Sequence, residues 1–187
     1  MSAPRKIKRT LPGDQTSSNI ESMIRVDHAG EYGAKRIYEG QLAVFNQDPR
    51  LKRTIQHMAE QEQVHLDFFE RELVRRQVRP TALSPLWHVA GYALGAITAR
   101  MGEEAAMACT VAVETVILEH YQSQLEVLKK NPKEKKLRAA IKKFKAEEEE
   151  HHDIGIQHDA EQAVAYPLLI RIIETGARLA IGIAKRI

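Results

Sequence analysis

Apolar residues recur along most of the chain at a spacing of three or four residues, which is the period of an amphipathic helix. Prolines, glycines and asparagines interrupt this pattern and divide the chain into segments. We expect helices at about 19–46, 50–78, 85–99, 103–130, 133–163 and 167–185. No segment shows the sustained alternation that is typical of a β-strand, so the predicted fold class is all-α.

The amino-terminal segment, 1–18, differs from the rest of the chain. It contains turn-forming residues such as Pro12 and Gly13, no apolar period, and four basic residues against the single acid Asp14. Such a segment is typical of a disordered tail and equally of an organelle-targeting signal. We therefore divide the chain into a tail at 1–18 and one domain at 19–187, a length that suits a single domain.

The segments 85–99 and 167–185 are more apolar than the other four. The first is shorter than the ~20 residues of a membrane span, so it is either a buried bundle helix or a helix lying against a bilayer. The second mixes apolar residues with bases such as Arg171 and Arg178. That mixture suits an interfacial helix, and it also suits a packed terminal helix.

The second and fifth helices share a repeat that places charged residues on an apolar face. In the second helix the face consists of Leu51, Ile55, Met58, Glu62, His65 and Phe69. In the fifth helix the same spacings give Leu137, Ile141, Phe144, Glu148, His151 and Gly155. Because burying a charge is costly unless something pairs with it, a Glu-x-x-His unit at the same phase in both helices indicates a bound partner.

The four consecutive glutamates at 147–150 allow a second register, in which Glu149 pairs with His152. That register continues the polar face of the helix, whereas Glu148 and His151 continue the apolar face. We therefore choose Glu148 and His151. Two polar residues lie four positions before the histidines and could orient ligand groups: Gln61 and Glu147.

The first and fourth helices each carry one glutamate on an apolar face, Glu31 and Glu114. A tyrosine follows each glutamate at the seventh position after it. Of these tyrosines, Tyr38 is interpreted as a core residue, while Tyr121 either packs or contributes to the site. The two helices therefore repeat each other as the second and fifth helices do.

Chain lengths predict that these elements meet at one height. The stretch from Glu31 to the turn at Asp48 is only slightly longer than the stretch from that turn to Glu62. Glu114 and Glu148 are equally far along the chain from the turn at Asn131. With a rise of ~1.5 Å per residue, the outward and return paths nearly cancel in each hairpin. Two packed hairpins would therefore collect four carboxylates and two imidazoles in one layer.

This collection is the ligand set of a ferritin-like dinuclear centre in a four-helix bundle. The predicted metal ligands are Glu31, Glu62, His65, Glu114, Glu148 and His151. Four ionised carboxylates balance two divalent cations, and mixed carboxylate and imidazole ligands suit iron or manganese. The remaining two helices would be extra apolar or amphipathic elements of the bundle.

Charge and composition narrow the function classes further. The chain has 28 basic and 25 acidic residues, and the surplus of bases lies in the tail, so we expect no nucleic-acid surface. A single cysteine, Cys109, cannot form an internal disulfide or a CxxC site. No G-x-G-x-x-G fingerprint is present. Electrons for redox chemistry would therefore have to come from outside the chain, either from a reductase or from NADH that binds directly.

The chain resembles the demethoxyubiquinone hydroxylases, the di-iron monooxygenases of ubiquinone biosynthesis. The resemblance rests on RVDHAGEYGA at 25–34, AMACTVAVE at 106–114 and EHHDIG at 150–155, and it extends over about 20–187. It implies the same six ligands, two iron ions, and hydroxylation of the ring of a polyprenylated demethoxyubiquinone by O₂.

The same resemblance implies how and where such an enzyme works. NADH would donate electrons through the quinone to the iron ions, and Arg178 is a candidate to bind the phosphate of the nucleotide. The protein would be peripheral to the mitochondrial inner membrane on the matrix side. It would work with other ubiquinone-biosynthesis proteins, and a homodimer is one oligomeric state to consider.

Two other function classes compete with a monooxygenase. An iron-storage protein of the same fold would have polar outer faces and assemble into a cage, and the apolar segments 85–99 and 167–185 argue against it. A membrane-associated scaffold with a structural metal would form no hydroxylated product from iron, O₂, NADH and demethoxyquinone.

Overall fold

The computed structural model describes residues 18–186, which form six α-helices joined by short turns. The helices are α1 Ser18–Val44, α2 Pro49–Arg76, α3 Ser84–Arg100, α4 Glu103–Leu128, α5 Lys135–Gln157 and α6 Tyr166–Ala184. Within residues 18–186 there is no β-strand, which confirms the all-α prediction. Apart from Ser18, the tail predicted at 1–18 lies outside the described residues.

The hairpins α1–α2 and α4–α5 form the four-helix bundle, and local side chains fix their turns. The Asp48 carboxylate accepts hydrogen bonds from the backbone N–H groups of Arg50 and Leu51 at 2.9 Å, which caps α2. In the second turn, the Asn131 side chain accepts one from the N–H of Lys133 at 3.2 Å. Each cap precedes a proline, and both turns lie where the sequence predicts them.

The fifth helix ends at Gln157, earlier than the predicted end at 163. Asp159 adopts a left-handed conformation, with φ 58°, and a 3₁₀ turn follows at Ala160–Gln162. Two features stabilise this turn. The side chain of Ala160 is fully buried, and His158 Nδ1 lies 2.8 Å from the Glu103 carboxylate at the start of α4. Neither proline nor glycine lies between 156 and 163 to mark the turn in the sequence.

The helices α3 and α6 cover the α1–α4 side of the bundle. The backbones of α1 and α3 are in close contact, since a Cβ atom on Gly95 would lie 1.9 Å from the Ile37 carbonyl oxygen. The outer face of α3 exposes apolar residues, among them Leu86 and Val89, so α3 is not a buried bundle helix. None of the described helices combines the length and hydropathy needed to cross a membrane.

A layer of charged residues separates two apolar clusters along the bundle axis. One cluster includes Phe69 and Phe144, and the other includes Ile55, Met58 and Met107. On α2 the charged positions lie between Met58 and Phe69, as the repeat predicts. The packing of both clusters therefore holds the charged layer at a fixed height away from water.

Candidate metal centre

The structure brings all six predicted metal ligands into this layer. Each is 0–1% exposed: Glu31 on α1, Glu62 and His65 on α2, Glu114 on α4, and Glu148 and His151 on α5. Their ligand atoms form two groups, and within each group they all lie within 4.8 Å of one another. The groups are Glu31, Glu62, His65 and Glu148, and Glu62, Glu114, Glu148 and His151. Either group could hold a metal ion, and Glu62 and Glu148 belong to both.

Each histidine directs its Nδ1 atom into the cluster. His65 Nδ1 lies 3.0 Å from Glu148 Oε1 and 3.3 Å from Glu31 Oε2. His151 Nδ1 lies 3.0 Å from Glu148 Oε2 and 3.3 Å from Glu62 Oε1. The two imidazoles therefore face the same carboxylate, Glu148, from opposite sides.

The other nitrogen of each imidazole bonds to the opposite helix. His65 Nε2 donates to Glu147 Oε2 at 3.0 Å, and His151 Nε2 donates to Gln61 Oε1 at 2.8 Å. A proton on Nε2 leaves the Nδ1 lone pair directed at the cluster, which is the arrangement of metal-ligating histidines. Gln61 and Glu147 thus lie where the sequence predicts residues that orient the ligands.

Two tyrosines hold the lone glutamates. Tyr38 donates its hydroxyl hydrogen bond to Glu114 at 2.7 Å, and Tyr121 donates to Glu31. Both hydrogen bonds therefore connect α1 with α4. The interpretation of Tyr38 as a core residue is incomplete, because this tyrosine is buried and also binds a predicted ligand. The shared spacing of each tyrosine from the glutamate on its own helix is the signal that could have identified both.

Eight ligand atoms in the layer are buried without a hydrogen-bond partner among residues 18–186. They are Glu31 Oε2, both Glu62 oxygens, His65 Nδ1, Glu114 Oε2, both Glu148 oxygens and His151 Nδ1. Unsatisfied buried polar atoms are rare in native proteins, because each is costly. Their convergence on one volume, with carboxylate and imidazole chemistry, fits bound divalent cations.

The pKa values of the layer reflect crowded negative charge. Burial and repulsion by neighbouring glutamates raise the pKa values of Glu62 and Glu114 well above the usual range. Burial opposes a charge on His65, but the Glu148 and Glu31 carboxylates outweigh it and raise its pKa to about 12. Without metal, protons thus offset part of the negative charge, and metal binding would release them.

A buried polar cluster beside the layer contains two residues, Asp27 and Gln124, that the sequence reasoning missed. Gln124 Nε2 donates to Asp27 Oδ1 at 2.6 Å, and His120 Nε2 lies 3.5 Å from the same oxygen. Burial raises the pKa of Asp27, and Asp27 Oδ2 has no hydrogen-bond partner within residues 18–186. Its one sequence signal is an acid on the apolar face of α1, one helical turn before Glu31.

The structure separates two residues from the layer. Glu149 is exposed and pairs with Lys145 at 2.5 Å, as expected for the rejected register. Arg178 lies on α6 and pairs with Glu119 and, at 3.2 Å, with Glu174. The role of Arg178 in nucleotide binding stays a prediction.

An apolar cavity of about 410 Å³ lies between α1, α3, α4 and α6. Its lining includes Gly30 and Val113, which directly precede Glu31 and Glu114. Trp87 also lines it, and the indole N–H of Trp87 is buried without a hydrogen-bond partner in the described part of the chain. The cavity thus extends from the covering helices to the backbone that carries the two lone glutamates.

Comparison with known proteins identifies relatives of this chain. A profile described as "Ubiquinone biosynthesis protein COQ7" matches residues 18–184. The NADPH-dependent 3-demethoxyubiquinone 3-hydroxylase, mitochondrial, of Homo sapiens is 52% identical over 170 residues, which cover 90% of this chain and 78% of the relative. The 3-demethoxyubiquinol 3-hydroxylase of Rhodospirillum rubrum is 49% identical over 178 residues, covering 95% and 83%. The 5-demethoxyubiquinone hydroxylase, mitochondrial, of Saccharomyces cerevisiae is 42% identical over 188 residues, covering 93% and 81%.

Proposed function

This chain belongs to the family of the ubiquinone biosynthesis protein COQ7, and from that premise we propose that it is a di-iron monooxygenase. It hydroxylates the ring of a polyprenylated demethoxyubiquinone, and the human and yeast relatives are named as hydroxylases of demethoxyubiquinone. The observation that carries this proposal is the buried layer of unpartnered carboxylate and imidazole atoms beside an apolar cavity.

Two iron ions would occupy the two groups of ligand atoms, with Glu62 and Glu148 shared between them. Bound iron would supply the electrons that reduce O₂. In the balanced reaction, one oxygen atom enters the ring, and the other leaves as water with two protons and two electrons from the donor. Meanwhile Tyr38 and Tyr121 hold the lone glutamates, and Gln61 and Glu147 hold the imidazoles.

The cavity would bind the quinone. Its apolar lining suits a substrate with an isoprenoid tail, and a bound tail would exclude water from the space beside the ligand layer. The free indole N–H of Trp87 is a donor suited to an oxygen of the quinone ring. Because Gly30 has no side chain, a ring could approach the backbone next to Glu31.

A reduced nicotinamide nucleotide would supply the electrons. The human relative is named as NADPH-dependent, whereas the sequence resemblance implies NADH. Arg178 is the candidate to bind a phosphate of either nucleotide. It would have to exchange Glu119 and Glu174 for that phosphate, and its half-exposed position leaves it accessible.

The protein would lie on the matrix face of the mitochondrial inner membrane. Two of the relatives are named mitochondrial. Exposed apolar residues on the covering helices are suited to contact with lipid tails: Leu86 and Val89 on α3, and Leu168 and Leu179 on α6. Other ubiquinone-biosynthesis proteins, and a second copy of this chain, are the expected partners.

An isotope experiment tests the proposed function. The protein is loaded with Fe²⁺ and supplied with demethoxyubiquinone, ¹⁸O₂ and either NADH or NADPH. We expect about two iron ions per chain, and one ¹⁸O atom in the ring of the product. Two bound iron ions without labelled product would favour the structural-metal scaffold, and assembly into an iron-filled shell would favour storage.

A further inference from the structure

The two halves of the ligand layer match each other at nearly every position. Glu31 corresponds to Glu114, Glu62 to Glu148, His65 to His151, and Tyr121 to Tyr38. The correspondence fails at one pair of positions, the groups that accept a hydrogen bond from the Nε2–H of each imidazole. His65 donates to the carboxylate of Glu147, whereas His151 donates to the neutral amide of Gln61.

The surroundings of Glu147 preserve its negative charge. Its Oε2 atom accepts from His65, and its Oε1 atom lies 3.0 Å from Lys143 Nζ. Lys143 is 62% exposed, so water screens its charge more strongly than it screens the buried side of the carboxylate. Gln61 occupies the matching place on α2, but it brings no charge to His151.

An imidazole that donates to a carboxylate is a stronger electron donor than one that donates to an amide, and metal affinity follows this outer contact. We propose that Glu147 and Gln61 make the two metal positions inequivalent, so that the position at His65 binds a divalent cation more tightly than the position at His151. The inference rests on the metal-binding part of the proposed function. In this role Glu147 and Gln61 are positioning residues, since each acts through a histidine.

Isosteric variants of these two residues test the proposal. Metal-free protein is titrated with Co²⁺, which reports each binding step by its absorbance. In the wild-type protein we expect two steps whose dissociation constants differ by about tenfold or more. E147Q should weaken the tighter step about tenfold, and Q61E should strengthen the weaker step by a similar factor.

Proton NMR of the Co²⁺-loaded protein identifies which position fills first. Each coordinated imidazole has an exchangeable Nε2–H resonance that the paramagnetic ion shifts strongly. At one Co²⁺ per chain, we expect the resonance that E147Q displaces, from His65, to dominate. The resonance that Q61E displaces, from His151, should gain intensity only with the second equivalent.

The outcomes separate this inference from the proposed function. E149Q is the matched control, because Glu149 is exposed and lies off the apolar face, and it should leave both steps unchanged. Two equal wild-type steps, or equal changes of both steps in E147Q and Q61E, would overturn the inequivalence alone. Failure of the wild-type protein to bind two Co²⁺ ions would overturn the metal assignment, and this inference with it.

Discussion

The ligand layer and the cavity beside it differ in the chemistry of the groups that they present to a ligand. In the layer, buried carboxylate and imidazole atoms have no hydrogen-bond partner within residues 18–186, so the layer suits a cationic ligand. In the cavity, which is partly open to solvent, the lining is almost entirely apolar, so the cavity suits an apolar ligand. The two meet at the peptide that joins Gly30 to Glu31. One short stretch of α1 can therefore serve two ligands of opposite chemistry.

The largest expected effect comes from removing the carboxylate that both metal groups share. Glu148→Ala should abolish hydroxylation and reduce iron to well below two ions per chain, because Glu148 faces both imidazoles. Iron analysis and product formation measure these effects. The matched control is Glu149→Ala, which removes the exposed carboxylate at the next position. Full iron content in the Glu148 variant, or an equal loss of iron in the Glu149 control, would contradict the choice of Glu148 rather than Glu149 as the metal ligand.

Lowering the pH should weaken metal binding in the ligand layer. It should not affect the cavity, whose lining contains no acidic or basic side chain. The pKa of His65 is raised to about 12 without metal, so between pH 8 and pH 6 this imidazole is protonated and must release a proton when a metal ion binds at its position. Metal affinity should therefore fall roughly tenfold per pH unit for each proton displaced. Titrations with Co²⁺ at several pH values measure this slope. A pH-independent affinity would contradict it.

Filling the cavity with a side chain should have the opposite effect: it should reduce activity and leave metal binding unchanged. Gly176 lines the cavity, and an added Cβ there meets no atom within 4 Å, so Gly176→Leu fits without a clash at its base. We expect product formation to fall about tenfold while iron content is retained, because the leucine would occupy the space in which we propose that the substrate binds. Gly182→Leu is the control, since Gly182 is equally open but lies outside the lining. Loss of iron in the Gly176 variant would show that the two regions are not independent.

The outer surface of the cavity wall should govern contact with lipid. Leu179→Asp on α6 introduces a charge at a residue that is 64% exposed. We expect a several-fold decrease in the fraction that floats with phospholipid vesicles, because a charge at the interface opposes insertion. Val74→Asp, on α2 and 80% exposed, is the control and should float like the wild-type protein. Equal flotation of both variants would place the lipid contact elsewhere.

A methyl group between α1 and α3 should give the smallest effect. In Gly95→Ala the new Cβ would meet the backbone oxygen of Ile37, which cannot move aside as a side chain can. We expect a loss of about 1–3 kcal/mol in the free energy of unfolding, measured by denaturant titration. Gly182→Ala should instead add up to ~1 kcal/mol through helix propensity. Unchanged stability of the Gly95 variant would mean that α3 can shift away from α1.

The ligand layer could be predicted from the sequence because the same pattern of residues occurs in both helical hairpins. A Glu-x-x-His unit that continues an apolar face has no ordinary packing explanation, and the apolar phase selected Glu148 over Glu149. The contacts around the layer needed the folded chain. The bond from His65 to Glu147 joins residues 82 positions apart, and Asp27 meets Gln124 across 97 positions.

The cavity and the end of α5 could not be predicted in the same way. The cavity depends on how closely α3 approaches α1, and Gly95 carries no periodic signal of that approach. The helix end at Gln157 depends on the tertiary contact between His158 and Glu103 rather than on a local breaker. Both features are set by packing between segments, which helical periodicity does not encode.

The direct backbone contact between α1 and α3 limits where the cavity can accommodate added atoms. Carbonyl oxygens of one helix lie against glycines of the other, at Gly40 and Gly95, so no space for added atoms is left between these two helices. Added Cβ atoms on Gly30 and Gly33 of α1 and on Gly176 of α6, which all line the cavity, meet no atom of the described residues within 4 Å. In the proposed complex, an isoprenoid tail longer than the cavity would find space beside Gly33 and Gly176 and none at the contact of α1 with α3.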